Sequence, residues 1–186
     1  FPWYTLVPGI EPPPVRLKAL DGDVSWSDSR YQADLTAEVD SPQGMATLAT
    51  KMNGDMEQVT LTNLSATTGA GALAGKGSVN FAGPLSWDAA LTLQDFNPGY
   101  WVPMLEASLS GEVASSGQLR ESRIPDLNAS WQLDGTWRSN DASLSGSLDT
   151  SSGNWTLSGL ALVVGENRVE GSGSLGDTLE GDLSLS

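Results

Sequence analysis

The side chains that usually carry chemistry are missing or out of place in this chain. Its 186 residues include no Cys and no His, which removes the thiolate nucleophile, the imidazole base, the disulfide framework and the common zinc sites. Each remaining spacing that imitates a site lacks a part. Gly171, Gly173 and Gly176 spell G-x-G-x-x-G, but a dinucleotide needs those glycines at a strand-to-helix turn. Here they fall inside an alternating apolar pattern with no helix after it, so they read as strand glycines. Gly75 and Lys76 resemble a phosphate loop, yet Ala70 stands where its first Gly belongs and Gly77 where its Ser or Thr belongs. Asp21, Asp23 and Ser25 begin like a calcium loop, whose sixth and twelfth positions need Gly and Glu. Trp26 and Gln32 occupy those positions, and a surface hairpin turn is the expectation. Among 23 acidic residues no two stand apart as a general-acid pair for sugar hydrolysis. The N-x-[ST] triplets at Asn63, Asn128 and Asn154 are accidents of a chain rich in Ser and Thr. The expectation is no catalytic, cofactor-binding or metal site, and no enzyme.

The elements that would position any functional surface are strands. From Tyr31, the set Tyr31, Ala33, Leu35, Ala37 and Val39 alternates with Gln32, Asp34, Thr36, Glu38 and Asp40, as a strand with one wet face requires. The period of two recurs at Val15, Leu17, Ala19; Ala46, Leu48; Val59, Leu61; Trp87, Ala89, Leu91, Leu93; Leu105, Ala107, Leu109; Trp131, Leu133; Leu144, Leu148; Trp155, Leu157; and Leu183, Leu185. Turn formers separate these runs, among them Asp21 to Asp23, Ala82 to Pro84, Asp95 to Gly99, Ser115 to Gly117 and Gly165 to Asn167. Pro103 interrupts the best helical candidate, Tyr100 to Ala107, leaving room for one short turn.

An internal repeat is also legible. A constant offset of 96 places Val59 on Trp155, Leu61 on Leu157, Leu64 on Leu160, Gly75 on Gly171 and Gly77 on Gly173, the self-similarity of a fold whose units stack on one another. Residues 1–14 hold five prolines, which forbid a central strand and mark a linker or an edge segment; residues 15–186 form the repetitive β domain.

With 9 Lys+Arg against 23 Asp+Glu, the formal charge is -14, which works against a nucleic-acid partner. The longest apolar run, Leu160 to Val164, is far short of the ~20 residues of a membrane-spanning helix. The chain opens without a signal peptide and ends still alternating, which we take as a piece of a longer protein.

With no amphipathic helices to cover them, the apolar strand faces must meet in a closed sandwich or line one elongated, curled sheet with an apolar concave interior. Small inner residues such as Ala33, Ala37, Ala89 and Ala107 favour this trough. Its expected lining is Leu35, Leu61, Trp87, Leu91, Leu93, Leu109, Trp131, Leu133, Trp155, Leu157 and Leu162. The bland reading of the tryptophans is core packing; the sharper one is a surface that accommodates something other than side chains.

Trp87 to Leu93, Asp95 to Pro98, Leu105 to Val113, Gly117 to Leu119 and the run Gly165 to Asp177 resemble the repeat phrasing of the TamB family, AsmA-like envelope proteins of Gram-negative bacteria. The resemblance covers about residues 15–186. It implies a middle or late periplasmic portion of an inner-membrane-anchored protein, a taco-like β-trough that pairs at the outer membrane with a TamA-like barrel. It also implies outer-membrane biogenesis as the role, through phospholipid transport between membranes or assembly of outer-membrane and autotransporter proteins. The partners would be lipid acyl chains or nascent outer-membrane β-strands. The competing expectation is a β-sandwich or β-solenoid module of a surface adhesin. Cut strand edges would also let the piece associate edge to edge.

Overall fold

A computed structural model describes residues 16–41, 44–69, 71–100, 106–119, 125–150, 153–176 and 178–186. The fold is all-β. Twelve antiparallel strands form one open sheet in sequence order: β1 (Arg16–Ser27), β2 (Arg30–Ser41), β3 (Gly44–Gly54), β4 (Gln58–Thr68), β5 (Gly71–Asn80), β6 (Ser86–Phe96), β7 (Ala107–Gln118), β8 (Asp126–Trp137), β9 (Asn140–Asp149), β10 (Trp155–Val164), β11 (Asn167–Leu175) and β12 (Leu179–Leu185). The only helical element among the described residues is a 3-10 turn at Pro98–Tyr100, and no described helix is long and apolar enough to cross a membrane. Residues 1–14 lie outside the described residues.

Hairpin chemistry accounts for the meander. Asp28 and Ser29, with φ of 50° and 63°, and Arg138 and Ser139, with φ of 50° and 65°, are the two-residue turns with both central residues left-handed whose twist matches that of the flanking strands. Each strand packs substantially only against its sequence neighbours, so eleven interstrand spacings carry the sheet roughly 53 Å along its surface.

This single layer is incompatible with a sandwich, and its hairpin meander is not a solenoid. Among the described residues six hydrophobic side chains are buried, Ala33, Val39, Ala46, Ala66, Leu93 and Phe96. All six project from one face, and no second sheet covers them among the described residues. Burial comes from neighbours on the same face, which explains why Leu93 in the interior is 9% exposed and Leu183 on edge strand β12 is 69% exposed. The open sheet, more buried on its apolar side, is consistent with the curled trough expected from the sequence.

Two expected turns are strands. Asp21 to Asp23 lies within β1, and Ser115 to Gly117 within β7. In both cases the glycine is a slot for a large cross-strand side chain. A Cβ at Gly22 would meet Leu35 Cδ2 at 2.9 Å, and one at Gly117 would meet Trp87 Cζ2 at 2.5 Å. In β1 the extra residue Lys18 shifts the phase between Leu17 and Ala19, so Ala19 faces the polar side and Leu20 takes the apolar place beside Ala37. Val15 and Leu105 lie outside the described residues.

The same device recurs at three further apolar pairs that stand three apart. Leu61 and Leu64, Leu93 and Phe96, and Leu157 and Leu160 each flank a bulge, which puts two residues against one and returns the second apolar side chain to the face of the first. Bulges also bend and twist a strand, and they supply curvature to an otherwise flat layer.

The repeat extends beyond one hairpin. Strands β2–β5 map onto β8–β11 at the offset of 96, and most of the pairings carry over. Ala33–Met52 becomes Ala129–Leu148, Leu35–Thr50 becomes Trp131–Gly146, and Ala37–Leu48 becomes Leu133–Leu144. In the next hairpin Leu61–Gly77 and Leu64–Gly75, with the bulge between them, become Leu157–Gly173 and Leu160–Gly171, again with a bulge between.

Candidate functional face

Cross-strand partners in a sheet point to the same side, so the register assigns every strand residue to a face. Leu35 stands beside Gly22 and Thr50. Following the pairs outward, that face carries Leu61 on β4, Trp87, Leu91 and Leu93 on β6, Leu109 on β7, Trp131 and Leu133 on β8, and Trp155, Leu157 and Leu162 on β10. All eleven residues expected to line an apolar interior therefore share one face of one sheet.

Glycines make that face smooth. The Trp131 indole lies over Gly146, where a Cβ would be 2.8 Å from Cζ2, and the Tyr31 hydroxyl end lies over Gly54, where a Cβ would be 2.6 Å from Oη. Large side chains thus recline sideways across the gaps. The apolar-x-Gly-x-apolar phrasing recurs at Leu109 to Val113, Leu144 to Leu148 and Leu179 to Leu183; Gly146 is such a slot, whereas a Cβ at Gly111 or Gly181 would meet the backbone of the neighbouring strand. Polar groups on the face are few and mostly paired: Trp87 Nε1 donates to Ser115 Oγ at 3.1 Å. The buried Trp131 Nε1 has no hydrogen-bond acceptor among the described residues.

The carboxylates occupy the other side. Asp34, Glu38, Asp88, Glu112, Asp134 and Glu170 all fall on the opposite phase. Asp23 and Asp34 are directly paired, an unfavourable contact relieved by Lys51 Nζ at 2.7 Å from Asp34. The hydrogen bond and charge of Asp34 raise the Lys51 pKa above the usual lysine range. Arg168 and Glu170 form a second ion pair at 2.5 Å, which holds the Glu170 carboxyl below the usual glutamate range. These are exposed pairs, and they organise a solvated surface rather than an acid-base site.

A strongly apolar concavity on the inner face spans β7 to β10. It is a cavity of about 250 Å³ lined by Leu109, Leu133, Trp137, Leu144, Leu162 and Val164, with Pro98 at one side. Sequence reasoning named Leu109, Leu133 and Leu162 and missed the others. Leu144 was legible in the alternation, and Trp137 could have been placed by carrying the period of two on from Trp131 and Leu133. The described residues hold no cluster of three or more metal-ligating side chains.

The chain matches the family model described as TamB, N-terminal domain, over residues 8–186. The matched domain replaces the expectation of a middle or late portion, and the match begins inside the proline-rich stretch. No solved structure matches the chain.

Proposed function

Because the chain belongs to the TamB family, whose role lies in envelope biogenesis, we propose that its apolar face carries phospholipid acyl chains across the periplasm in a bridge between inner and outer membranes. The observation that supports this most is the one-sided apolar surface, which runs over all twelve strands with no second sheet against it among the described residues. Moving an acyl chain through water costs about 0.8 kcal/mol per methylene, or on the order of 12 kcal/mol for ~15 of them. A surface of reclining Leu and Trp side chains lowers that barrier, while the headgroup stays in solvent. The acidic outer face keeps so large an apolar sheet soluble.

The edges of β1 and β12, which pair with no further strand among the described residues, favour a second cargo, nascent strands of outer-membrane or autotransporter proteins held by β-augmentation on the way to a TamA-type barrel. The same edges would let isolated copies pair with one another.

Leu91→Asp and Leu133→Asp place a charge in the path without touching the polar face. Each is expected to abolish lipid crosslinking and function in the full-length protein while the circular dichroism stays that of a sheet. Folded variants that retain lipid crosslinking would overturn the reading.

A further inference from the structure

The concavity over β7 to β10 is walled by larger side chains than those at the equivalent positions of β2–β5. Its walls Leu133, Trp137, Leu162 and Val164 replace Ala37, Ser41, Ala66 and Thr68 at the offset of 96. In the first module these positions are small, and Ala66 and Thr68 are buried at 4% and 9% exposure. One backbone plan therefore carries a closed patch in one copy and an apolar hollow in the other. The rim of the hollow also carries a cation. Arg138 sits in the left-handed turn after β8, with its guanidinium 5.4 Å from the centroid of the Trp137 ring that forms one wall. It is exposed and makes no ion pair among the described residues. The strand cations Arg16, Lys18, Arg30, Lys51, Lys76 and Arg168 belong to the polar side.

We propose that this cavity is a holding site for one acyl chain of a phospholipid, with the lipid phosphate at Arg138; the proposal rests on the reading that the apolar face carries acyl chains. Leucine and valine walls favour a hydrocarbon tail, and the volume accommodates part of one chain, not a whole lipid. An indole at the mouth suits the boundary between tail and head. A guanidinium offers a phosphate two parallel donors, and among the described residues Arg138 is the cation on the apolar rim of a protein of charge -14 where an anion meets attraction rather than repulsion.

The test uses the full chain with phosphatidylglycerol vesicles carrying a diazirine at the acyl terminus, and the crosslinked peptides are mapped by mass spectrometry. Crosslinks should concentrate on β8 to β10. Ala142→Phe, which fills the cavity from β9, should lower them about tenfold and leave those on β4 to β6 in place. Arg138→Gln alters an exposed side chain and should fold normally. It should weaken phospholipid crosslinking about tenfold, the value of one charge-assisted contact, and leave a diazirine-bearing long-chain alcohol unchanged. Crosslinks spread evenly along the apolar face and indifferent to both variants would overturn the holding site but not the wider reading. If Arg138→Gln affected only a fatty-acid probe, the phospholipid assignment would fall. If no probe reacted anywhere on the face, the proposed function would fall with it.

Discussion

Strands β2–β5 and β8–β11 share a topology, most of their pairings and a bulge, yet they present different surfaces. In the first module the upper part of the apolar face is built from Ala37, Val39, Ala46, Ala66 and Thr68, and four of these are buried. In the second the same places hold Leu133, Gly135, Ala142, Leu162 and Val164, and a hollow opens among them. The bulges are also secured differently. Thr50 Oγ1 donates to the Asn63 carbonyl and Thr62 Oγ1 to the Lys51 carbonyl, each at 3.1 Å, whereas Gly146 stands in place of Thr50 beneath the Trp131 ring. The ladder fixes where side chains project, and their size alone decides whether the surface is sealed or receptive.

The comparison is broken most severely by placing a charge at equivalent positions. Ala66→Asp buries a carboxylate with no cation near it and should cost about 3–5 kcal/mol. Leu162→Asp, on a half-buried position at the mouth of the hollow, should cost clearly less; denaturant midpoints of the two variants measure the difference, and equal losses would mean that the modules are equally packed. Next in size is the transplant of Leu162 into the first module. Ala66→Leu should destabilise by about 1–3 kcal/mol through overpacking, because Leu48 and Leu73 flank it on the same face.

A gain is expected at the turn between the first two strands of the second module. Ser139 has φ of 65°, and Ser139→Gly should stabilise by about 1 kcal/mol by relieving the left-handed backbone of an L-residue; thermal unfolding reads it. The smallest effect concerns Arg168 and Glu170, whose counterparts Ala72 and Ala74 carry no charge. The Glu170 carboxyl is held below its usual range by Arg168, so the pair's contribution is present above the ordinary glutamate range and is lost as pH falls through the lowered value. Carboxyl NMR should show the titration of Glu170 moving upward in Arg168→Gln.

Much of this comparison was readable from the residues. The period of two put all eleven candidates on one phase, and the register puts them on one face, because a strand with one wet face has no other way to satisfy both sides. The offset of 96 identified the second hairpin of each module. It missed the first, because Leu35 and Trp131, or Thr50 and Gly146, share a role in the ladder and not a residue type. Gly22 and Gly117 misled for a related reason. A glycine beneath a leucine or an indole looks, in sequence, like a glycine at a turn. The bulges left only a partial trace: Leu61 and Leu64, Leu93 and Phe96, and Leu157 and Leu160 stand three apart across one, but so do Ala46 and Ala49 in a strand whose ladder is regular there. The cavity was the least legible feature. It depends on side chains brought together from four strands, and on a cation whose place over Trp137 is set by the turn.

The central claim is that one face of a single open sheet is the working surface. A photocrosslinking amino acid scanned one residue at a time through β8 in the full-length protein tests it most directly. The account predicts lipid adducts at Ala129, Trp131 and Leu133 and none at Ser130, Gln132 and Asp134. Adducts without that alternation, or confined to the polar phase, would contradict it.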